Sequence, residues 1–275
     1  MTQASGYEEP QPAAPTARSH AALLLAAVAL ASLMLAGCPR QTEETPTLLV
    51  YCGAGIRPPI AEMAAEFGQE HGVVVECDYA GSNVLFSRIK LSGRGDVFIP
   101  GDRSYVEQAE EADLIVSAVD ACYFVPVILV PKGNPQAIES VADLARPGIR
   151  IGFGDPEACA IGRVTDKILE KNGVDLSQVA ENIVFRSLTV NELGVQVKAG
   201  KIEATIVWDA IAAGYSEEGE VVAIPAEDNV ISTVPVAVLR SSQHPELAES
   251  FQAFVTSPRG RDIFAAHHYT TESPW

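Results

Sequence analysis

Four short segments combine small residues with hydroxyl, thiol or amide side chains, and each stands where an apolar run gives way to a helical pattern. They are Gly53-Ala54-Gly55, Gly81-Ser82-Asn83, Ala158-Cys159-Ala160-Ile161-Gly162 and Leu188-Thr189-Val190-Asn191. Small residues let the backbone approach a ligand closely, and Ser or Asn adds a side-chain donor. Because a helix N-terminus also presents free N–H groups, such junctions can bind an anion. Taken singly, each junction also fits an ordinary helix cap or turn.

The elements that would position these junctions alternate along the chain. Short apolar runs rich in β-branched residues are followed by amphipathic helical stretches, a pattern typical of a mostly parallel sheet covered by helices. The runs span residues 48–52, 73–79, 96–100, 122–130, 149–153, 184–188, 204–208 and 234–239. Two such series, each of about 100 residues, predict two α/β lobes, with ligands outside the carboxyl ends of their strands. The pattern leaves open which lobe carries the helices after residue 239.

The composition is that of a folded, acidic protein. Of the 275 residues, 47% are hydrophobic and 20% are charged, so the chain can bury a sizeable core. The 19 Lys and Arg against 36 Asp and Glu give a net charge of −17, which is the wrong sign for binding a nucleic-acid backbone. A small anionic ligand is compatible with this charge, because local backbone dipoles can outweigh a diffuse surface charge.

The N-terminal region has the features of an export signal. Residues 21–36 carry no charge and lead into Leu35-Ala36-Gly37-Cys38. The run is short for a transmembrane helix and fits the core of a signal peptide. Its end resembles a bacterial lipobox, in which the Cys thiol takes a diacylglyceryl group. We therefore predict a lipoprotein signal peptide at 1–37 and a tether at 38–46 that is lipid-anchored through Cys38, on the periplasmic side or at the cell surface. A secretory signal cut elsewhere and an uncleaved anchor are the alternatives.

Four further cysteines show no zinc or redox spacing, and we interpret them as packing residues. They are Cys52, Cys77, Cys122 and Cys159. An exported protein can form disulfides, so a bond between Cys52 and Cys77 is an alternative. If Tyr51 lies beside Tyr79 in neighbouring strands, Cys52 and Cys77 point to opposite faces of the sheet.

The sequence shows no arrangement of catalytic side chains. It lacks a Ser-His-Asp order, a nucleophile elbow and a paired-carboxylate motif. Asp155 and Glu157 flank Pro156, which favours a turn over a catalytic pair. The histidines lack metal-ligand spacing. We therefore predict that the protein is not an enzyme and has no metal site; an exported two-lobed enzyme and a ligand-sensing domain are the less favoured classes.

Six segments resemble, in order and spacing, the substrate-binding protein of molybdate ABC importers. They are Val-Tyr-Cys-Gly-Ala-Gly (50–55), Tyr-Ala-Gly-Ser-Asn (79–83), Gly-Asp-Val-Phe-Ile (95–99), Gly-Asp-Pro-Glu (154–157), Ile-Val-Trp (206–208) and Pro-Val-Ala-Val (235–238). The likeness runs from about Leu48 to Tyr269. It implies a two-lobed type II periplasmic binding-protein fold with a two-stranded hinge. Residues 47–121 and the returning segment 234–275 would form lobe I, and residues 122–233 would form lobe II.

The resemblance also implies a ligand and partners. A tetrahedral oxyanion, molybdate or tungstate, would lie between the lobes, with no cofactor and no metal other than that of the oxyanion. The permease and ATPase of an ABC importer would receive it. We expect a monomer, because the closing motion needs free lobes. Sulfate, phosphate and small organic anions are the alternative ligands, and Asp209 would favour phosphate if its carboxylate pointed into the cleft.

Carried over residue by residue, the implied binding site draws on both lobes. Its members are Gly53, Ala54, Gly55, Gly81, Ser82, Asn83, Ala160, Ile161, Val190 and Trp208. Two of them depart from the family: Gly55 stands where the family has a serine, and Trp208 stands where it usually has a tyrosine. Trp208 can donate only through its indole N–H. Arg57 could add a positive charge, although we interpret it as a surface residue.

Overall fold

The computed structural model describes residues 45–274, so the predicted signal peptide and Cys38 lie outside the described residues. The strands in chain order are β1 (Thr47–Gly53), β2 (Val74–Ala80), β3 (Val97–Ile99), β4 (Ile115–Phe124), β5 (Pro126–Pro131), β6 (Ile151–Gly154), β7 (Ile183–Ser187), β8 (Ala204–Trp208), β9 (Gly219–Ala223) and β10 (Ser232–Leu239). The α-helices are α1 (Arg57–His71), α2 (Ser82–Ser92), α3 (Ser104–Glu111), α4 (Ala160–Lys171), α5 (Leu176–Val179), α6 (Val190–Lys198), α7 (Asp209–Ala213), α8 (Pro245–Val255) and α9 (Pro258–Ala266).

The strands form two mixed sheets of five, which confirms the predicted two-lobed α/β fold. The first sheet has the order β2-β1-β3-β10-β4, and the second has the order β7-β6-β8-β5-β9. In each sheet one strand runs against the other four: β10 in the first and β5 in the second. Two of the four neighbouring strand pairs in each sheet are thus antiparallel, so the sheets are mixed, with four strands of each in one direction.

The chain crosses between the sheets twice. Val125 alone separates β4 from β5, and residues 224–231 lead from β9 back to β10. The boundaries that the resemblance implied, after residues 121 and 233, fall inside β4 and β10. After β10 the last two helices pack on the first lobe, where α8 contacts β10 and both helices contact α1.

The helix α1 shows how the sequence sets these elements. Pro58 and Pro59 occupy its first turn, where a missing N–H costs no hydrogen bond. Its predicted apolar stripe is confirmed, because Ile60, Met63, Ala64 and Phe67 are all buried. The helix ends at Gly72, whose φ of 64° lies in the left-handed region that glycine adopts without strain.

The register between β1 and β2 differs by one residue from the predicted alignment. Tyr51 pairs with Asp78, and Cys52 pairs with Tyr79. The same pairing includes the hydrogen bond from the Val74 N–H to the Pro46 carbonyl, at 2.9 Å, where β2 begins. Cys52 and Cys77 consequently lie on the same face of the sheet, and the prediction of opposite faces is wrong. The four cysteines of the described residues are free thiols.

Within residues 45–274, no helix has both the length and the apolar character that crossing a membrane requires.

Candidate functional site

A small cavity of about 20 Å³ lies between the two sheets, at the carboxyl ends of their strands. Nine of the ten predicted site residues line it, and Asn83 does not. The first lobe contributes Gly53, Ala54, Gly55, Ile56, Ala80, Gly81, Ser82, Gly101 and Phe124, and the second contributes Cys159, Ala160, Ile161, Thr189, Val190 and Trp208. Organic ligands of drug size need roughly 300 Å³ or more, so this cavity suits a compact ion.

Three helices of at least nine residues begin at the cavity wall. They are α2, α4 and α6, whose N-cap residues are Gly81, Cys159 and Thr189. No N-cap side chain accepts a hydrogen bond from the first turn of its helix. The 3₁₀ turn Ala54–Ile56 likewise lacks a side-chain cap. Since the first N–H groups of a helix have no partner within it, donors and positive dipole ends converge on the cavity from both lobes.

Two side chains add donors to these amides. Ser82 is 3% exposed, and its Oγ accepts a hydrogen bond from the Gly101 N–H at 3.0 Å, which leaves its own hydroxyl hydrogen free to donate. Trp208 is 2% exposed and stacks on Phe124, with ring centroids 4.5 Å apart and planes within 10°. Its Nε1 donates to no acceptor among the described residues. The Thr189 hydroxyl, by contrast, donates to Glu192 Oε1 at 3.2 Å.

Gly55 and Trp208, the two departures from the family, lie side by side across the lobes. A Cβ on Gly55 would stand 2.9 Å from Cγ1 of Val190 and 3.4 Å from both Nε1 and Cδ1 of Trp208. The first distance is shorter than real Cβ contacts, so the site has no room for a side chain at position 55. The indole lies beside this loop at ordinary contact distance, and Val190 is the residue that limits the side chain at position 55.

The cavity wall carries no carboxylate, Lys or Arg. The guanidinium of Arg57 lies over the Tyr79 ring, 4.9 Å from its centroid, on an exposed residue outside the lining. Asp209 also lies outside the lining: its Oδ2 accepts from Thr270 Oγ1 at 2.8 Å, and its Oδ1 accepts from the Ala210 N–H at 2.9 Å. The condition under which Asp209 would favour phosphate is therefore not met.

Cys159 is the single titratable residue that lines the cavity. Burial raises the pKa of its thiol to about 11. The group is thus a neutral thiol at physiological pH and places no negative charge beside a ligand.

Asn83 joins the two lobes instead of facing the cavity. Its Nδ2 donates to the Glu157 carbonyl, and its backbone N–H donates to the Ala158 carbonyl at 3.2 Å. Beside it, a Cβ on Gly81 would stand 2.7 Å from the Leu188 carbonyl, so a glycine is needed for this approach. The two lobes are therefore in contact at the edge of the cavity, and the conformation is closed.

The site offers binding donors and no catalytic pair. Asp155 Oδ1 accepts the Glu157 N–H at 2.8 Å, which makes this segment the predicted turn. The described residues contain no cluster of three or more His, Cys, Asp or Glu side chains that could hold a metal ion. The arrangement can bind and orient a small anion.

Six of the lining residues are not among the ten predicted site residues. They are Ile56, Ala80, Gly101, Phe124, Cys159 and Thr189, of which the last two lie within the junction segments named from the sequence. Gly101 follows β3 and carries the same small-residue signal as the selected junctions. Phe124 ends the crossing strand β4, which leads into no helix, so no comparable signal marks it.

Comparison with known proteins agrees with this geometry. A family model described as bacterial extracellular solute-binding protein matches residues 48–270. The molybdate-binding protein ModA of Mycobacterium tuberculosis is 27% identical over 249 residues, which cover 87% of this chain and 93% of that protein. Among solved structures, the periplasmic molybdate-binding protein of Azotobacter vinelandii superposes with a TM-score of 0.70 at 19% identity, covering 82% of this chain and all of that one. The sulfate-binding protein SubI of Mycobacterium tuberculosis superposes with a TM-score of 0.73 at 17% identity, covering 83% and 88%.

Proposed function

Because the chain belongs to the family of bacterial extracellular solute-binding proteins, we propose that it captures molybdate or tungstate in the interlobe cavity and delivers it to an ABC importer. The class of function, a solute-binding protein of an ABC transporter, follows from the family. The choice of ligand is supported by the relatives named for molybdate.

The observation that carries the proposal is the convergence of helix N-termini without side-chain caps, from both lobes, on one small cavity. A dianion that enters such a cavity loses its hydration, a large cost unless its oxygens accept several hydrogen bonds. In this proposal the amides of Ala160, Ile161 and Val190, the Ser82 hydroxyl and the Trp208 indole N–H, all on residues that line the cavity, would meet that need.

The lining also favours a fully ionised oxyanion. A protonated phosphate carries an O–H group that needs an acceptor such as a carboxylate, and the lining contains none. Sulfate, molybdate and tungstate are all tetrahedral dianions, so cavity radius rather than charge discriminates among them. Sulfate is the second candidate, because a sulfate-binding protein shares the fold.

Binding would work by stabilising the closed state. Ser82 and the Gly53–Gly55 loop belong to one lobe, and α4, α6 and Trp208 belong to the other. A ligand that bonds to donors on both sides shifts the opening equilibrium towards closure. No residue of the cavity is arranged to transform the ligand. The ligand would therefore be released to the importer without chemical change.

The same proposal places the protein at a membrane surface. A diacylglyceryl group on Cys38 would tether it outside the cytoplasm through residues 38–46, as a monomer. Its partners would be the permease and ATPase of the importer, and no nucleic acid.

Calorimetric titration of the ligand-stripped protein with molybdate, tungstate, sulfate and phosphate tests the proposal. Tight binding of molybdate or tungstate with negligible heat from sulfate is the expected result. Tight binding of sulfate alone would identify sulfate as the ligand. The absence of binding heat with all four anions would contradict an oxyanion site.

A further inference from the structure

A cation–π contact joins the two lobes beside the cavity. The guanidinium of Arg163, in α4 of the second lobe, lies over the ring of Tyr105, in α3 of the first lobe, with Cζ 4.8 Å from the ring centroid. Tyr105 is fully buried, and Arg163 is partly buried. Because opening the lobes would separate the two side chains, this contact belongs to the closed conformation.

Both residues stand close to the cavity lining. Arg163 ends the first turn of α4, two positions after the lining residue Ile161, and Tyr105 comes four positions after the lining residue Gly101. A Cβ on Gly101 would stand 3.3 Å from the Cβ of Ala160, so the loop before α3 meets the start of α4 across the lobes. At the rise of an α-helix, Arg163 lies about 5 Å along the axis from the helix N-terminus that opens on the cavity.

No carboxylate pairs with Arg163 among the described residues. Its guanidinium forms no ion pair there, and its Nη1 is buried without a hydrogen-bond partner. The carboxylate of Asp102, which lies near Tyr105, instead accepts from the Ser104 N–H at 3.0 Å and from the Ser232 hydroxyl at 2.7 Å. A cation that loses water without gaining a partner costs free energy, so a negative charge nearby would stabilise it.

Tyr105 holds the guanidinium without neutralising its charge. Burial raises the pKa of the Tyr105 hydroxyl to about 12, so the phenol is uncharged at physiological pH. An aromatic ring attracts a cation through its quadrupole and leaves the net positive charge in place, whereas a carboxylate at the same position would cancel it. The positive charge of Arg163 therefore remains available to a ligand.

From this geometry we propose that Arg163 is an electrostatic supporting residue of the anion site: closure fixes its guanidinium against Tyr105, and its charge stabilises a dianion in the cavity. This inference rests on the proposed function and deepens it, because it makes the charge of the ligand part of what favours closure. A positive charge in the first turn of a helix also opposes the helix dipole, and a dianion at that N-terminus offsets both.

A series of charges at position 163 tests this inference in the otherwise intact protein. Arg163→Lys keeps the positive charge, Arg163→Met removes it and keeps a long side chain, and Arg163→Glu reverses it. Lys90→Met and Lys90→Glu are the matched controls, since Lys90 lies over the Phe86 ring at 5.2 Å within the first lobe and is exposed. The measurement is the Kd for tungstate by calorimetry, and the melting temperature without ligand shows that each variant is folded.

We expect the Kd for tungstate to rise by about fivefold for each unit of positive charge removed, because each step takes away the same attraction to a dianion. Arg163→Lys should remain within about threefold of the wild type, and the Lys90 variants within about twofold. A merely structural contact would be lost equally in Arg163→Met and Arg163→Glu and would give no such steps.

Two results would overturn this inference and leave the proposed function intact. One is an equal Kd for Arg163→Met and Arg163→Glu, and the other is an Arg163→Lys variant that binds as weakly as Arg163→Met. The absence of binding heat from the wild-type protein with every anion would overturn the proposed function and this inference with it.

Discussion

The indole nitrogen of Trp208 lies 3.4 Å from the point where a Cβ on Gly55 would stand, an ordinary contact distance across the boundary between the lobes. Trp208 is held in place by its stack on Phe124, whose centroid is 4.5 Å away. The ring therefore packs beside the glycine, and Cγ1 of Val190, at 2.9 Å, is the atom that a Cβ at position 55 would meet too closely. The unpartnered indole N–H lies next to the position of the absent side chain, where it can act as a donor.

Gly55→Ala should impair closure rather than folding. The new Cβ would clash with Cγ1 of Val190 at 2.9 Å, and Val190 belongs to the other lobe. Because opening relieves the clash, we expect an unchanged melting temperature without ligand. With ligand, overpacking of about 2 kcal/mol corresponds to a Kd roughly thirtyfold higher. Adding Val190→Ala should recover most of the affinity, and a double variant as weak as Gly55→Ala would contradict this account.

Trp208→Phe should remove one donor while keeping an aromatic ring against Phe124. A hydrogen bond to a charged group contributes about 1.5–3 kcal/mol, so the Kd for molybdate should rise at least tenfold. Calorimetry measures the change. Phe124→Leu, which perturbs the stack but removes no donor, is the matched comparison; if it weakened binding more than Trp208→Phe, the indole N–H would not be the important group.

Asn83→Ala should lower the affinity for every anion by the same factor. The side chain bonds to the Glu157 carbonyl across the lobes and does not line the cavity, so its loss destabilises the closed state whatever the ligand. A neutral hydrogen bond is worth about 1 kcal/mol, equal to roughly fivefold in Kd. Stopped-flow dissociation rates for molybdate and tungstate should rise in parallel. Asn172→Ala, which loses bonds to Ile168 and Asp228 within the second lobe, should leave them unchanged. Unequal changes for the two anions would instead place Asn83 in contact with the ligand.

Affinity for molybdate should be flat from pH 7 to pH 9. Cys159 is the titratable residue of the cavity wall, and burial raises the pKa of its thiol to about 11. Because a raised thiol pKa keeps the group neutral below that value, repulsion between thiolate and anion begins only as the pH approaches 11. Cys159→Ser should remove this alkaline decline. A decline centred near pH 8 would show that the thiol is far more acidic than its burial implies.

The sequence located the junction residues because their signal is local. Gly55, Ser82 and Ala160 follow apolar runs and open helical patterns, and in an α/β sheet those positions meet at the carboxyl ends of strands. Trp208 could be placed only through the resemblance to a family. Its steric relation to Gly55 depends on how the lobes close, which no local pattern records.

Contacts between distant segments could not be predicted from local patterns. Asn83 has the appearance of a ligand donor in sequence, and its partner Glu157 lies in the other lobe. Tyr269 reaches Gly55 through the packing of the last helix on the first sheet. The β1–β2 register differs by one residue from the predicted alignment, because the two strands are joined through a helix and no tight turn in the sequence fixes their pairing.

The most direct test of the central claim is to locate a bound anion by the anomalous scattering of tungsten in crystals grown with tungstate. We expect one strong anomalous peak in the interlobe cavity of the closed conformation. The peak should lie within hydrogen-bond distance of the Ala160, Ile161 and Val190 amides and the Ser82 hydroxyl. Tungsten bound outside the cavity, or an empty cavity at saturating tungstate, would contradict it.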